Sequence, residues 1–218
     1  MIRLTRFAAE PRILAEKKVE WLAAFRLALA KDPKKHPQSS QYAHKEVVDA
    51  LERMSFHKCF YCEQSIKESG REVDHFIEVA EEPDGAFVWK NLYLSCEKCN
   101  DKLPNRTVPV GDCLDPCDPA VEPRMHLTFE KEVIRPRNGS EKGRETIRKY
   151  KLDRAELDLK RARMLQRLTD SVIGILRKMN ADGRSAMTSD EDEVLQSFCQ
   201  PEHPFSLMFT VQLEGLSL

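Results

Sequence analysis

The sequence predicts an α+β protein: a small core of short strands, stapled by metal-binding cysteines and embedded in a mainly helical chain. Three observations carry this reading. Apolar residues recur at helical spacing toward both ends of the 218 residues. Residues 56–106 instead break into short apolar patches separated by turn residues. That same stretch holds two C-x2-C pairs, Cys59–Cys62 and Cys96–Cys99. With 41% hydrophobic and 33% charged residues, the chain is apolar enough to fold, which excludes bulk disorder. Its 8 glycines and 12 prolines exclude collagen-like and low-complexity classes.

The elements follow in order. Pro11 suits a first helical position, and Leu14, Trp21, Leu22, Phe25 and Leu29 share a broad face up to Ala30. Lys31-Asp32-Pro33 ends that helix, and the stretch to Ser40 is a loop. Residues 41–54 read as a second helix, with Val47, Val48, Leu51 and Met54 apolar. Residues 71–77 alternate weakly, as a short strand does. Residues 81–85 are a turn, Asn91 to Leu94 lead into the second cysteine pair, and a short helix starts near Glu97. Residues 107–124, rich in Pro, Asp and Gly, form a loop, and 126–135 a hairpin. Helices then run over 141–150, 153–179 and 189–199, the last opened by Thr188-Ser189-Asp190. The apolar segment after Pro204 fits either type. Four regions result: N-terminal helices (1–55), the cysteine-bearing core (56–106), a loop with a hairpin (107–140), and C-terminal helices (141–218).

The net charge is -1, but its distribution is uneven. Residues 1–36 carry net +5, residues 71–122 net -7, residues 131–185 net +8 and residues 186–218 net -6. A basic helical segment suits phosphate contact, or equally a solvated face laced with ion pairs. An acidic centre repels phosphate unless a cation lies between them. The longest early apolar run, Trp21 to Phe25, falls far short of a membrane span, which takes about 20 residues. No secretory leader pattern is visible, so a cytoplasmic protein with reduced thiols is expected.

Two C-x2-C pairs suit a tetrahedral four-thiolate structural Zn2+ site made by Cys59, Cys62, Cys96 and Cys99. The 33 residues between the pairs exceed the usual ribbon spacing of about 15–20. Something is therefore inserted between the knuckles. Cys113 and Cys117 read as small buried residues, and Cys199 as a core residue on a helix.

Between and beside the knuckles lie Val73-Asp74-His75, Asn91-Leu92, Asn100 and Lys102. This constellation resembles the HNH, or ββα-metal, endonucleases, over about 50 residues of the chain. The fold expected is a zinc-stabilised ββα-metal HNH core within a mainly helical protein. The third motif position is Asn100 rather than His, a variant the family also shows, and Lys102 falls one residue early. The resemblance implies phosphodiester hydrolysis. An imidazole such as His75 takes a proton near neutral pH. Asp74 and Asn100 offer hard oxygens suited to Mg2+ or Mn2+. One such ion can clamp both a non-bridging and the leaving oxygen. Asn91 orients the loop around the base by resemblance, or serves as an ordinary loop or cap residue. Asp74 and His75 are adjacent, so both face one site only if the strand ends or bulges there. Arg71 and Arg106 suit phosphate contact or surface ion pairs. The remaining histidines, His36 among them, have no comparable setting.

The chain also resembles a narrower group, the PtuB-type HNH nuclease subunits of Septu and retron-associated anti-phage defence systems. That resemblance rests on Met1-Ile2-Arg3-Leu4, the knuckles, Leu114-Asp115-Pro116-Cys117, His126-Leu127-x-Phe129, Thr146-Ile147, Leu152 and Arg161. It implies a nucleic-acid substrate, DNA or RNA, and a PtuA-like ATPase partner of the ABC or SMC type. In retron versions it implies a reverse transcriptase with its RNA–DNA product. The competing reading is a zinc-stabilised nucleic-acid-binding or scaffold subunit without chemistry. It needs the four cysteines but not Asp74, His75 and Asn100.

Overall fold

The structure, a computed structural model, describes residues 1–215. Helix α1 (Arg12–Lys31) begins behind Pro11, whose carbonyl accepts from the Leu14 and Ala15 amides. It buries Leu14 and Phe25 and packs Trp21 and Leu22 against the core. The single helix expected over 41–54 is instead two, α2 (Ser39–Tyr42) and α3 (Lys45–Met54). The break lies at His44, whose Nδ1 accepts from the Glu46 amide and caps α3. A side chain satisfying a free N–H starts a new helix there. A short turn, α4 (Ile66–Ser69), follows the first knuckle.

Strands β1 (Glu72–His75) and β2 (Leu92–Ser95) pair antiparallel, with Asp74 opposite Tyr93 and His75 opposite Leu92. Helix α5 (Glu97–Asn100) follows directly and completes a ββα unit. The insert between the strands turns through two short 3-10 helices, Pro83–Phe87 and Trp89–Asn91. A second hairpin, β3 (Leu127–Glu130) with β4 (Val133–Pro136), sits where alternation placed it. Helices α6 (Glu141–Tyr150), α7 (Ala155–Ala181) and α8 (Ser189–Ser197) follow. The apolar segment after Pro204 forms α9 (Ser206–Glu214), burying Leu207, Met208 and Phe209; residues 216–218 lie outside the described residues. Cys199 is corrected: α8 ends before it, and it is half-buried rather than a helical core residue.

Buried residues from every part of the chain join one hydrophobic core. Two contacts tie the N-terminal helix to the segment between β1 and β2. Trp21 and Phe25 of α1 lean on Phe87 in the insert, at ring-centroid distances of 5.7 and 6.3 Å. The Arg26 guanidinium grips Asp84 of the same insert through two bonds of 2.8 and 2.5 Å. Among the described residues, no helix is long and apolar enough to cross a membrane.

Candidate active site

The four cysteine sulfurs of Cys59, Cys62, Cys96 and Cys99 lie within 4.8 Å of one another, all buried. Thiolates on a tetrahedral zinc, each at about 2.3 Å, sit about 3.8 Å apart. The Cys62 and Cys96 sulfurs are 3.8 Å apart, so the cluster fits zinc. The first pair sits on the turn before α4, and the second brackets the start of α5. Arg154, which no sequence motif marks, donates to the Cys99 and Cys96 sulfurs at 3.6 and 3.7 Å. Four thiolates on one divalent ion leave two surplus negative charges, and a guanidinium beside them offsets part of that charge.

β1 ends at His75, and this lets two adjacent residues serve one site. Asp74 and His75 line a pocket of about 380 Å³ together with Asn100 and Lys102. Asn91 lies just before β2, and its carbonyl accepts from the Phe76 amide at 2.9 Å. Its Oδ1 accepts from the Ile77 amide at 2.7 Å, and its Nδ2 donates to the Ile77 and Gly85 carbonyls at 3.0 and 3.2 Å. One side-chain amide thus bonds the insert near its start and at its middle. Next to Gly85 is Ala86, whose carbonyl lies 2.9 Å from His75 Nε2. A carbonyl only accepts, so Nε2 carries the proton and Nδ1 keeps the lone pair of the neutral ring. Burial pushes the imidazole pKa below its ordinary value, partly opposed by the Ala86 hydrogen bond, and so favours the neutral ring. The Tyr42 ring covers His75 at 4.6 Å between centroids.

Asp74 is almost fully buried and richly bonded. Tyr61 donates its hydroxyl to Oδ2 at 2.6 Å. The Lys102 ammonium donates to both carboxylate oxygens at 2.8 Å and to the His75 carbonyl at 2.5 Å. The one-residue offset of Lys102 therefore does not remove it from the site. The oxygens of Asp74 and Asn100 suit Mg2+ or Mn2+, and such an ion would share Asp74 with this ammonium.

All the predicted site residues fall into two groups. The cysteines form the cluster, and Asp74, His75 and Asn100 line the pocket while Asn91 supports it from behind. Arg71 pairs with Glu52 at 2.8 Å, the ion-pair alternative of its two readings. Sequence reasoning missed Tyr61, Tyr42 and His36, and His36 and Tyr42 come from outside the motif. Tyr61 sits inside the first C-x2-C pair, so its closeness to a motif carboxylate was within reach. Nothing in the sequence marks Tyr42 or His36.

Comparison with known proteins agrees with this geometry. Residues 59–106 match the family model described as HNH endonuclease. The chain is similar to Septu protein PtuB of Bacillus mycoides (strain KBAB4), 29% identical over 167 residues, covering 62% of this chain and 56% of that protein. It is also similar to Septu protein PtuB of Bacillus thuringiensis, 42% identical over 55 residues, covering 24% of this chain and 21% of that protein. The chain spans about half the length, or less, of the relatives it matches.

Proposed function

We propose that this chain, which carries an HNH endonuclease domain and resembles the Septu PtuB proteins, is a metal-dependent endonuclease and the effector of an anti-phage defence complex. One observation carries the chemistry: a neutral imidazole with a free Nδ1 stands beside a buried carboxylate and an amide oxygen donor in one open pocket. His75 takes the proton of the attacking water on Nδ1, while the Ala86 carbonyl holds Nε2–H and fixes the tautomer. Asn91 holds the insert that presents Ala86. Asp74 and Asn100 would hold Mg2+ or Mn2+, which when bound supplies charge neutralisation at the phosphate and the leaving oxygen. Cys59, Cys62, Cys96 and Cys99 would hold a structural Zn2+ that locks the two knuckles around β1 and β2.

The partner we propose is a PtuA-like ATPase of the ABC or SMC type, with a retron reverse transcriptase and its RNA–DNA product in retron-linked systems. The relatives' name supports this reading, as do helices beyond what a nuclease core needs. The cytoplasm, where such substrates occur, is the proposed location. The test is cleavage of labelled DNA and RNA by the purified chain with Mg2+ or Mn2+, alone and with the ATPase, beside His75→Ala. Cleavage that disappears in the variant supports the nuclease. Undiminished cleavage by His75→Ala removes the base assignment, and no cleavage in any arm favours a non-catalytic binding subunit.

A further inference from the structure

We propose that the loop from Lys31 to Pro37, outside the HNH domain, grips the phosphodiester backbone of the substrate at the mouth of the active-site pocket through Lys34 and Lys35; this rests on the nuclease reading and names the substrate contact of the same site. His36, Pro37 and Tyr42 form one wall of the pocket, facing Asp74, His75 and Asn100. Lys102 is the one Lys or Arg among the residues that line the pocket. Lys102 is taken up by Asp74 and the His75 carbonyl. Lys149, the cation nearest Glu78, is buried and donates to the Leu103 and Val108 carbonyls and the Asn105 amide oxygen. Glu78 lines the pocket as well and adds a carboxylate. A phosphodiester entering from solvent therefore meets Asp74 and Glu78, with no free Lys or Arg among the residues that line the pocket.

The loop of His36 and Pro37 supplies them. Lys34 and Lys35 are exposed, and among the described residues neither forms an ion pair. Asp32 shapes their turn, its Oδ1 accepting from the Lys34 amide at 3.0 Å and its carbonyl from the Lys35 amide at 2.9 Å. Pro33 and Pro37 restrict the backbone on either side. Both flanks of the loop are fastened to the catalytic apparatus. On one side Arg26 of α1 holds Asp84, two residues from the Ala86 carbonyl that orients His75. On the other, Tyr42 of α2 covers the His75 ring. The chain on either side of the loop is thus bonded to, or packed on, the segments around the base. The opposite net charges of residues 1–36 and 71–122 fit the same division of labour.

Phosphate contacts carry no base information, so DNA and RNA share the chemistry, and the assay includes both. Binding is measured by fluorescence anisotropy in the full-length His75→Ala chain, with Ca2+ present and labelled single- and double-stranded DNA and RNA oligonucleotides. Lys34→Glu/Lys35→Glu is compared with the parent and with Arg177→Glu/Lys178→Glu at the far end of α7. The loop variant is expected to bind about tenfold more weakly, with the log–log salt dependence shallower by about 1.5–2. The α7 variant should match the parent, and all three should melt alike. Cleavage by the loop variant in the His75 background should show a raised KM with kcat little changed. The proposal is overturned by parental affinity and salt slope in the loop variant, by an equal loss in the α7 variant, or by a parent that binds none of the oligonucleotides. A chain that binds through this loop but never cuts would instead count against the nuclease reading alone.

Discussion

A single side chain, Asn91, carries more of the site than its chemistry suggests. It touches no reacting atom, yet it satisfies the Ile77 amide and two carbonyls and so fixes the segment that aims His75. Asn91→Ala removes all three bonds and leaves the part-buried Ile77 amide and carbonyl without that partner, at a cost of about 1–3 kcal/mol. It is expected to lower kcat more than it raises KM, as steady-state kinetics would show. Gly85 serves the same contact by having no side chain: a Cβ there would lie 2.8 Å from Asn91 Nδ2. Gly85→Ala should therefore reduce cleavage without removing any functional group. Lys102 acts on the carboxylate instead. Its ammonium occupies both oxygens of Asp74, the side chain that an active-site divalent ion would use. Lys102→Met is expected to tighten Mn2+ binding, read by direct Mn2+ titration. Unchanged affinity would separate that ion from Asp74.

At the scale of elements, α6 shows how closely the helices dock on the strands. A Cβ at Gly143 would lie 2.2 Å from the His126 carbonyl, a backbone atom that cannot swing aside. Gly143→Ala must push α6 off the β3–β4 hairpin, and a loss of about 1–3 kcal/mol is expected from chemical denaturation. Helix α8 illustrates electrostatic capping. Thr188 Oγ1 accepts from the Glu191 amide, and Glu191 accepts in return from the Thr188 amide and from Arg184. Chiefly because of Arg184, the Glu191 carboxyl falls from its ordinary 4.5 to about 2. A depressed carboxylate stabilises the fold above its unfolded value and loses that stabilisation as pH falls through its folded value. The cap should hold at neutral pH and fade between about 4.5 and about 2. An NMR titration midpoint for Glu191 near 4.5 would show that the pair with Arg184 does not form in solution.

Across the whole molecule, the cysteine cluster joins parts of the chain that have little else in common. The first pair precedes α4, the second opens α5, and Arg154 at the start of α7 donates to both sulfurs of the second pair. Zinc affinity in such sites is folding energy, about 10–16 kcal/mol for small zinc modules. Cys96→Ala should therefore lower the melting temperature and lose the metal, measured together by calorimetry and metal analysis. Normal melting with one thiol missing would argue against a structural ion. Arg154→Ala is expected to release zinc to a chelator faster while leaving all four ligands in place. The same scale explains the N-terminal helices. With the loop between α1 and α2, they extend the pocket by a wall of His36, Pro37 and Tyr42 that the ββα unit lacks.

What the sequence by itself determined is local and periodic. Helical spacing located α1, α3, α6 and α7, and alternation located β1 and the β3–β4 hairpin, because a buried face leaves its period in the chain. Two identical cysteine spacings marked the four-cysteine cluster, because ligand geometry limits spacing, and the resemblance to HNH endonucleases marked Asp74, His75 and Asn100, which line the pocket, and Asn91 behind it. Only the tertiary structure decided which distant groups finish the site. Tyr42 over His75, Arg154 on the second pair's sulfurs and His36 and Pro37 in the pocket wall depend on packing between segments far apart in sequence. Such packing depends on how whole surfaces fit and leaves no period or motif to read. The same holds for Lys102: its place beside Asp74 is fixed by how the chain leaves α5, which a spacing count of one residue cannot reveal.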